Sequence, residues 1–239
     1  MYFLFKFIDF FYQRKKNLFL KNNVSNNIDI LIDIGAHHGD TISEFLKIFS
    51  IKKIFAFEPS RRNYLKLEKK VKKFKNKYST QIEIFQQGIG KKDEILNLKE
   101  ISDDGASNTF NNLNINSNYL KKKKFFTTFF GIKKFVISEI PTEIIILKDF
   151  LNQRDIKKVD LVKIDTEGFE FNILQGLEDY VNNIHFITFE HHYDNMILKN
   201  YKFTDIHKLL SEYGFKKIFK VKMPLRKSFD YIYQKENFV

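Results

Sequence analysis

Ile28-Asp-Ile-Leu-Ile-Asp-Ile-Gly-Ala-His-His-Gly39 joins an apolar run to a loop with a glycine at each end. Acids occur only near the ends of the run, at Asp29 and Asp33, and this continuous apolar character predicts a buried strand. After Gly39, apolar residues at positions 42, 45, 46 and 49 have the spacing of one buried helical face. A strand, a glycine turn and an amphipathic helix in this order indicate a parallel α/β sheet.

The same alternation continues along the chain. Four more strands are predicted, at residues 54–57, 82–85, 159–164 and 184–189. Ser60 is the predicted N-cap of the second helix, and Gly214 the predicted stop of a late helix. Two last apolar segments, residues 218–221 and 229–233, flank a turn with Pro224 and predict an antiparallel hairpin at the sheet edge.

The middle of the chain is less regular. A short strand is predicted at residues 93–98, a loop or mobile insertion at 102–124, and a hairpin of residues 125–130 and 135–140 around Gly131. The length of 239 residues suits one domain. We therefore predict an N-terminal helical extension at 1–27 and a domain at 28–239, with an insertion at about residues 99–140.

The first twelve residues are apolar but too few to span a bilayer, and they lack the basic start of a signal peptide. We expect a helix packed on the domain; the alternative is peripheral contact with the inner membrane face through residues 1–21, anchored by Arg14, Lys15 and Lys16. The chain has no Cys, which excludes disulfides and thiolate chemistry and favours a cytoplasmic location.

The charge of the chain permits several partners. The formal net charge is +12, but only five of the 41 basic residues are Arg, the preferred reader of phosphates and base edges. This composition argues against specific nucleic-acid recognition. An acidic substrate, an anionic membrane surface and plain solvation remain open explanations.

Polar residues follow the predicted strands where parallel strands end and open α/β sheets bind ligands. They are the loop from Asp33 to Gly39, then Glu58, then Asp165-Thr-Glu167, then Glu190-His-His192. Charged groups there cost free energy unless they are paired or face a ligand. We therefore predict that these segments form one site.

The glycine loop and Glu58 point to a nucleoside. The D-x-G-x-x-x-G spacing differs from the G-x-G-x-x-G pyrophosphate fingerprint; Gly35 allows the turn, and Gly39 a close approach to a ligand. Glu58, roughly 20 residues beyond the loop, is placed to accept hydrogen bonds from ribose hydroxyls. NAD enzymes share this feature, and a helix-capping acid is the other explanation.

Lys163-Ile-Asp-Thr-Glu-Gly-Phe-Glu170 resembles the K-I-D-x-E-G-x-E run of the FkbM-type methyltransferases. Asp33-Ile-Gly-Ala-His-His-Gly39 is similar to that family's D-x-G-A-N-x-G segment, and Glu58-Pro59 to its E-P pair. The resemblance runs from about residue 28 to 233. One departure is His37, where the family usually has Asn; either residue can form a hydrogen bond there.

The resemblance implies a class I, Rossmann-like methyltransferase fold: a mostly parallel seven-stranded sheet with helices on both faces. It also implies S-adenosylmethionine as cofactor and O-methylation of a small molecule or sugar, in surface polysaccharide or glycolipid biosynthesis. The implied cofactor-binding residues are Asp33, Gly35, Ala36, His37, Gly39, Thr41, Glu58, Pro59, Gly88 and Asp165.

A hydroxyl acceptor needs a general base to take its proton. The candidate catalytic residues are Asp165, Glu167, Glu190 and His191, with His192 beside them. We expect Asp165 at the methionine end of the cofactor and Glu167 or His191 beside the acceptor. The alternative for Glu167 and Glu170 is capping of the next helix. No metal is expected, because the His-x-x-x-His spacing is absent.

Two other functions remain open. One is an NAD- or nucleotide-sugar-dependent oxidoreductase of similar topology, which bound reduced nicotinamide would reveal. The other is a non-catalytic RNA- or membrane-binding module, for which steep salt dependence without affinity for S-adenosylmethionine would be the sign.

Overall fold

The structure is a computed structural model that describes residues 2–101, 107–118, 120–121, 137–224 and 226–238, without the side chains of residues 2–11 and 137. Its helices are α1 (Tyr2–Asn23), α2 (Asp40–Ile48), α3 (Arg61–Lys75), α4 (Leu147–Asn152), α5 (Glu170–Gln175) and α6 (Phe203–Glu212), with a 3-10 helix at Glu178–Asn183. Its strands are β1 (Asn27–Ile34), β2 (Ser50–Phe57), β3 (Gln81–Phe85), β4 (Gly88–Gly90), β5 (Glu94–Ile101), β6 (Ile137–Ile146), β7 (Val159–Ile164), β8 (Ile184–His192), β9 (Phe215–Lys222) and β10 (Ser228–Lys235).

Seven strands form the main sheet in the order β3-β2-β1-β7-β8-β10-β9. The first five strands in this order, β3, β2, β1, β7 and β8, run parallel to one another. β10 runs antiparallel to both β8 and β9. This confirms the predicted mostly parallel sheet with its C-terminal hairpin. The chain moves outward from β1 to β3 and then returns to β7 on the other side of β1. Ligands of open α/β sheets bind at such a switch in strand order.

Helices cover both faces of this sheet. On one face, α1, α2 and α3 supply buried residues such as Leu20, Phe45 and Leu67. On the other face, α4, α5 and α6 contribute residues such as Leu151 and Leu174 to a second core. Strands buried on both faces have continuous apolar sequences, which explains the runs in β1 and β7.

Local signals in the sequence match the observed ends of elements. The Asn63 amide donates to the Ser60 hydroxyl at the start of α3, at 3.4 Å. Gly214, with φ +75°, follows α6 at the predicted stop. β8 is longer than predicted, because it pairs with β10 as far as His192. Glu190, His191 and His192 therefore lie within a strand.

The predicted hairpin around Gly131 is wrong in its pairing. β6 pairs along its length with β5, antiparallel, and β4 adds to its other side to make a second, small sheet. Residues 125–130 lie outside the described part of the chain. Residues 107–117 were predicted as loop or mobile insertion, but they form bridges: Thr109 pairs with Lys99, and Leu113 with Ile197.

The N-terminal helix α1 packs on the domain. Leu20 and Val24 join the core, and Phe19 stacks on Phe219 of β9 with ring centroids 4.2 Å apart. No helix in the described residues is both long and apolar enough to cross a membrane. Of the three basic residues predicted to anchor α1 at a membrane surface, Lys16 is instead ion-paired inside the protein to Asp230, at 2.8 Å. Membrane contact through the rest of residues 1–21 stays a prediction.

Candidate active site

A cavity of about 390 Å³ lies at the carboxyl ends of β1, β2, β7 and β8. The main-sheet switch in strand order between β1 and β7 lies at its centre. Nine of the residues predicted from the sequence line it together: Gly35, Ala36, His37, Thr41, Glu58, Pro59, Asp165, Glu167 and Glu190.

The turn at Gly35 is made by close contact between two loops. Gly35 has φ +76°, and a Cβ there would lie 1.9 Å from the carbonyl oxygen of Asp165. Only glycine allows both the left-handed backbone and this approach. The loops after β1 and β7 therefore meet at the cavity floor. Gly39 has a different neighbour: a Cβ there would lie 2.8 Å from Leu67 of α3, so its close approach is to a helix and not to a ligand.

Glu58 links the loop after β2 to the glycine loop. Its carboxylate accepts hydrogen bonds from the His37 amide at 2.7 Å and the Ser60 amide at 3.0 Å. Burial raises the pKa of Glu58 to about 7, although these amides favour its charged form. Each carboxylate oxygen has two lone pairs, so Glu58 can accept further hydrogen bonds from a ligand in the cavity.

Lys163 lies at the centre of the cavity wall, and its ammonium holds three groups in place. Its Nζ is 2.9 Å from Asp33, 3.7 Å from Asp165 and 2.8 Å from the carbonyl oxygen of Gly35. Burial alone would lower the pKa of Lys163, but the two aspartates raise it. The same ammonium is among the groups that lower the pKa of Asp165, against the effect of burial. Lys163 therefore remains a cation that fixes Asp165 as an anion.

A charged imidazole joins two cavity carboxylates at the end of β8. His192 Nε2 lies 3.2 Å from Glu190 and 3.3 Å from Glu167, and its Nδ1 lies 3.5 Å from Asp194. Burial would lower the pKa of His192, but Glu167, Asp194 and Glu190 raise it to about 10. Burial raises the pKa of Glu190 to about 8, and His192 opposes that shift.

The loop between β7 and α5 has a tight shape that its own residues maintain. Glu167 and Gly168 both have positive φ, +50° and +95°. Glu170 accepts from the Gly168 amide at 2.9 Å and from the Tyr201 hydroxyl at 2.5 Å. Glu170 therefore closes the loop ahead of α5, and the N-cap residue of that helix, Phe169, makes no side-chain hydrogen bond. Glu167 instead faces the cavity.

Four predicted site residues do not line the cavity. Asp33 is buried behind Lys163, and Gly39 packs on Leu67. Gly88 lies in β4, where a Cβ would meet Ile144 and the ring of Phe110. His191 points away from the cavity because successive side chains of a strand alternate between faces. Its ring instead contacts Tyr193 with centroids 4.8 Å apart, and burial lowers its pKa to about 3.

His37, His38 and Asp40 can bring ligand atoms within 4.8 Å of one another. The two rings stack with centroids 3.6 Å apart, His38 pairs with Asn63, and Asp40 pairs with Lys70. These contacts occupy the groups without an ion. The expectation of no metal stays a prediction.

The sequence analysis missed one side of the cavity. Tyr12, Gln13 and Lys16 of α1 line it, as do Thr188 of β8 and Asp230 of β10. Asp230 and Lys163 are charges inside apolar strands, which is a detectable signal of a pair or a site. The three α1 residues carry no such signal, because only the tertiary packing of α1 brings them to the strand ends.

Several solved structures share the fold at low sequence identity. The methyltransferase FkbM of Methylobacillus flagellatus KT has a TM-score of 0.55 and 12% identity, covering 88% of this chain and 44% of that one. The magnesium protoporphyrin IX methyltransferase ChlM of Synechocystis PCC 6803, solved with S-adenosylmethionine, gives 0.53 and 9%, covering 97% and 79%. TrmK of M. capricolum, solved with S-adenosylhomocysteine, gives 0.52 and 12%, covering 93% and 69%.

Fold and neighbours together define a class I methyltransferase fold. The methyltransferase FkbM domain matches residues 33–217, and the chain belongs to this domain family. It spans less than half the length of the Methylobacillus protein. No curated protein matches the chain.

Proposed function

We propose that this protein transfers a methyl group from S-adenosylmethionine to a hydroxyl oxygen of a small molecule or sugar. The observation that carries the proposal is that one cavity holds both groups of residues. Glu58 and Asp165, which the family pattern assigns to the cofactor, line it. Glu190 and Glu167, which the imidazolium of His192 joins, line it as well. Such a cavity combines a nucleoside site with a group able to accept a proton.

The cavity suits this cofactor in charge and shape. Six carboxyl groups line it, and Asp165, which Lys163 holds as an anion, would favour the cationic sulfonium. The close contact of Gly35 with Asp165 leaves the loop backbone bare at the floor, where a ligand can approach. Glu58 would accept hydrogen bonds from the ribose hydroxyls, and Asp165 would bind the methionine end. Pro59, Ala36 and Thr41 would complete the walls of this half.

Bound S-adenosylmethionine supplies an electrophilic methyl group, which the acceptor oxygen takes as the carbon–sulfur bond breaks. The task of the protein is to align the acceptor and to remove its proton. We assign proton removal to Glu190, whose raised pKa lies close to neutral pH. Glu167 would hold the acceptor from the opposite side of His192, and cationic His192 would keep both carboxylates in position.

The acceptor is proposed to be a sugar of a surface polysaccharide or glycolipid, methylated in the cytoplasm or at the inner membrane face. Support for a hydroxyl-bearing acceptor comes from the polar lining, in which carboxylate, amide and hydroxyl groups can each form hydrogen bonds with hydroxyls.

Calorimetry with S-adenosylmethionine on the wild type, Glu58→Gln and a control, Glu68→Gln, tests the cofactor site. Glu68 lies on α3, partly exposed and paired with Lys72, away from the cavity lining. We expect Glu58→Gln to weaken binding by about tenfold or more, because hydrogen bonds to charged groups contribute about 1.5–3 kcal/mol. The control should bind like the wild type.

Equal affinity of Glu58→Gln and wild type would remove Glu58 from the site. The same titration with NADH distinguishes the oxidoreductase alternative. Tight NADH binding without affinity for S-adenosylmethionine would contradict the proposed methyl transfer.

A further inference from the structure

One side of the cavity is built from segments that lie outside the matched family domain. The domain match covers residues 33–217, which include the glycine loop, Glu58, Lys163, Asp165 and Glu190. Tyr12, Gln13 and Lys16 come before that range, and Met223, Arg226 and Asp230 come after it. The glycine loop, Glu58 and Asp165 thus lie within the matched range, whereas the facing wall comes from the segments on either side of it.

The sheet brings these outer segments to the reaction centre in register. Asp230 of β10 pairs directly with Glu190 of β8, and Lys163 of β7 pairs with Thr188 of β8. Because residues two apart share a face of a strand, Thr188 and Glu190 point the same way. Asp230 is therefore the next polar group beyond the proposed base.

An ion pair locks α1 over this row. Lys16 Nζ lies 2.8 Å from Asp230, with side chains only 14% and 7% exposed. Burial lowers the pKa of Lys16, but Asp230 outweighs this effect and raises it, so Lys16 stays protonated. The hydroxyl of Tyr12 also faces Asp230. The buried Oε1 of Gln13 has no hydrogen-bond partner among the described residues.

We propose that α1 and β10 form the acceptor-recognition wall of the cavity, in which the Lys16–Asp230 pair, Tyr12 and Gln13 bind the hydroxyls of a neutral, sugar-like ring. This inference rests on the proposed methyl transfer and names the chemistry of its acceptor.

Hydroxyl groups match the wall better than anions do. The wall alternates a cationic donor, an anionic acceptor, a hydroxyl and an amide oxygen, and adjacent hydroxyls of a sugar can donate to and accept from such a row. Lys16 and Lys163 are each already neutralised by a carboxylate. The ammonium groups of both lysines are thus already held by aspartates, and a phosphate or carboxylate deep inside would lie beside the carboxyl groups of Asp165 and Asp230.

The test uses the full chain saturated with S-adenosylhomocysteine. The probes are neutral methyl glycosides of several hexoses and 6-deoxyhexoses, with glucose 1-phosphate as the anionic counterpart. Hydrogen exchange of the peptides that contain residues 12–16 and 228–232 reports contact with the wall. Titrated protection gives the affinity of each probe.

Four proteins are compared: the wild type, Lys16→Met/Asp230→Asn, Gln13→Leu, and the control Lys15→Met. Lys15 is exposed on the same helix, so this control makes the same Lys-to-Met replacement outside the cavity. Removing both partners avoids a buried uncompensated charge, so the double variant should fold. Gln13→Leu removes a polar atom without touching the ion pair.

We expect at least one neutral glycoside to protect both peptides in the wild type and in Lys15→Met. Its affinity should fall about tenfold or more in the double variant, and severalfold in Gln13→Leu, while affinity for S-adenosylhomocysteine stays within about twofold. Binding of S-adenosylhomocysteine tests the proposed methyl transfer separately from the acceptor wall. A wild type that fails to bind S-adenosylhomocysteine would overturn the proposed function.

Binding of S-adenosylhomocysteine with no glycoside protection would overturn the acceptor wall alone. Protection by glucose 1-phosphate only would also overturn the acceptor wall. So would equal glycoside affinity in all four proteins.

Discussion

Glu190 and His191 are neighbours in β8 but face opposite environments. The carboxylate of Glu190 lines the cavity, 3.2 Å from the imidazole of His192. The ring of His191 lies among aromatic side chains, where burial keeps it neutral. The strand-end motif identified both as candidates because the sequence analysis ended the strand at residue 189. Recognition that β8 continues to His192 would have separated them by alternation alone.

The pH dependence of the reaction tests Glu190 as the base. Only the ionised carboxylate accepts a proton, and burial raises its pKa to about 8. We therefore expect kcat/KM to rise about tenfold per pH unit below that value and to level off above it. Glu190→Gln should lose about 10²–10⁴-fold in rate together with this acid limb, and keep its affinity for S-adenosylhomocysteine.

Glu212→Gln is the matched control, because Glu212 is exposed on α6 and pairs only loosely with Lys208 at 3.9 Å. It should keep the wild-type profile. An unchanged rate and acid limb in Glu190→Gln would exclude Glu190 as the base.

At the scale of elements, the segment around Thr109 braces the loop that carries Glu167. The Thr109 hydroxyl donates to the carbonyl oxygen of Glu167 at 2.7 Å, and the Asn111 amide to that of Gly168 at 2.5 Å. These contacts hold a loop with two consecutive residues at positive φ. The small sheet thus supports the site from the side, through a segment whose composition predicted only a loop.

Asn111→Ala should loosen that loop. Loss of one partly buried hydrogen bond costs about 1 kcal/mol, which lowers Tm by about 2–4 °C in a protein of this size. Methyl transfer should fall more than cofactor affinity, because Glu167 loses its fixed position. Asn112→Ala, at an exposed neighbouring position, is the control. A fall in Tm with full activity would mean that the brace only stabilises the fold.

Elements with strong hydrophobic patterns were predicted closely, and those that depend on distant partners were not. β7 has the predicted bounds of residues 159–164 because both of its faces are buried and four of its six residues are apolar. β6 was misassigned because its partner, β5, lies more than thirty residues earlier in the chain. The sequence of β6 alone does not distinguish this pairing from a local hairpin.

For the whole molecule, the cavity concentrates ionisable groups whose folded pKa values lie above their ordinary values. Burial raises the pKa of Glu58 to about 7 and that of Glu190 to about 8. For His192, burial would lower the pKa, but the surrounding carboxylates raise it to about 10. These three groups together therefore hold more protons in the folded protein than in the unfolded chain across neutral pH, and such a difference makes stability depend on pH. His191, with a folded pKa of about 3, has the opposite effect below its ordinary value of 6.5.

The cofactor-free protein should lose stability as the pH rises. The two glutamates favour folding in their protonated forms, so their contribution falls from about pH 4.5 to 8. The His192 contribution is complete below about 6.5 and is lost as the pH rises through about 10. Denaturant unfolding from pH 7 to 10, above the range in which His191 contributes, measures this trend. His192→Gln should flatten its upper part, and a stability that rises over this range would contradict the assigned shifts.

The overall fold and the cofactor half of the cavity followed from the sequence because both depend on strand ends, which hydrophobic patterns locate. Glu58 and Asp165 meet at one edge because parallel strands end together. The facing wall did not follow. Its members lie more than two hundred residues apart, at positions 16 and 230, and their meeting depends on how α1 packs across the finished sheet.

The pairing of Lys16 with Asp230 has a consequence for synthesis of the protein. A ribosome makes α1 before β10 and all the elements between them, so the growing chain carries Lys16 long before its counter-charge exists. Nascent chains that stop before Ser228 would have to leave α1 undocked or bury a lone ammonium, which is costly. The pocket therefore becomes whole only once β10 has been made, and release before that point would yield a protein with one side of its pocket open.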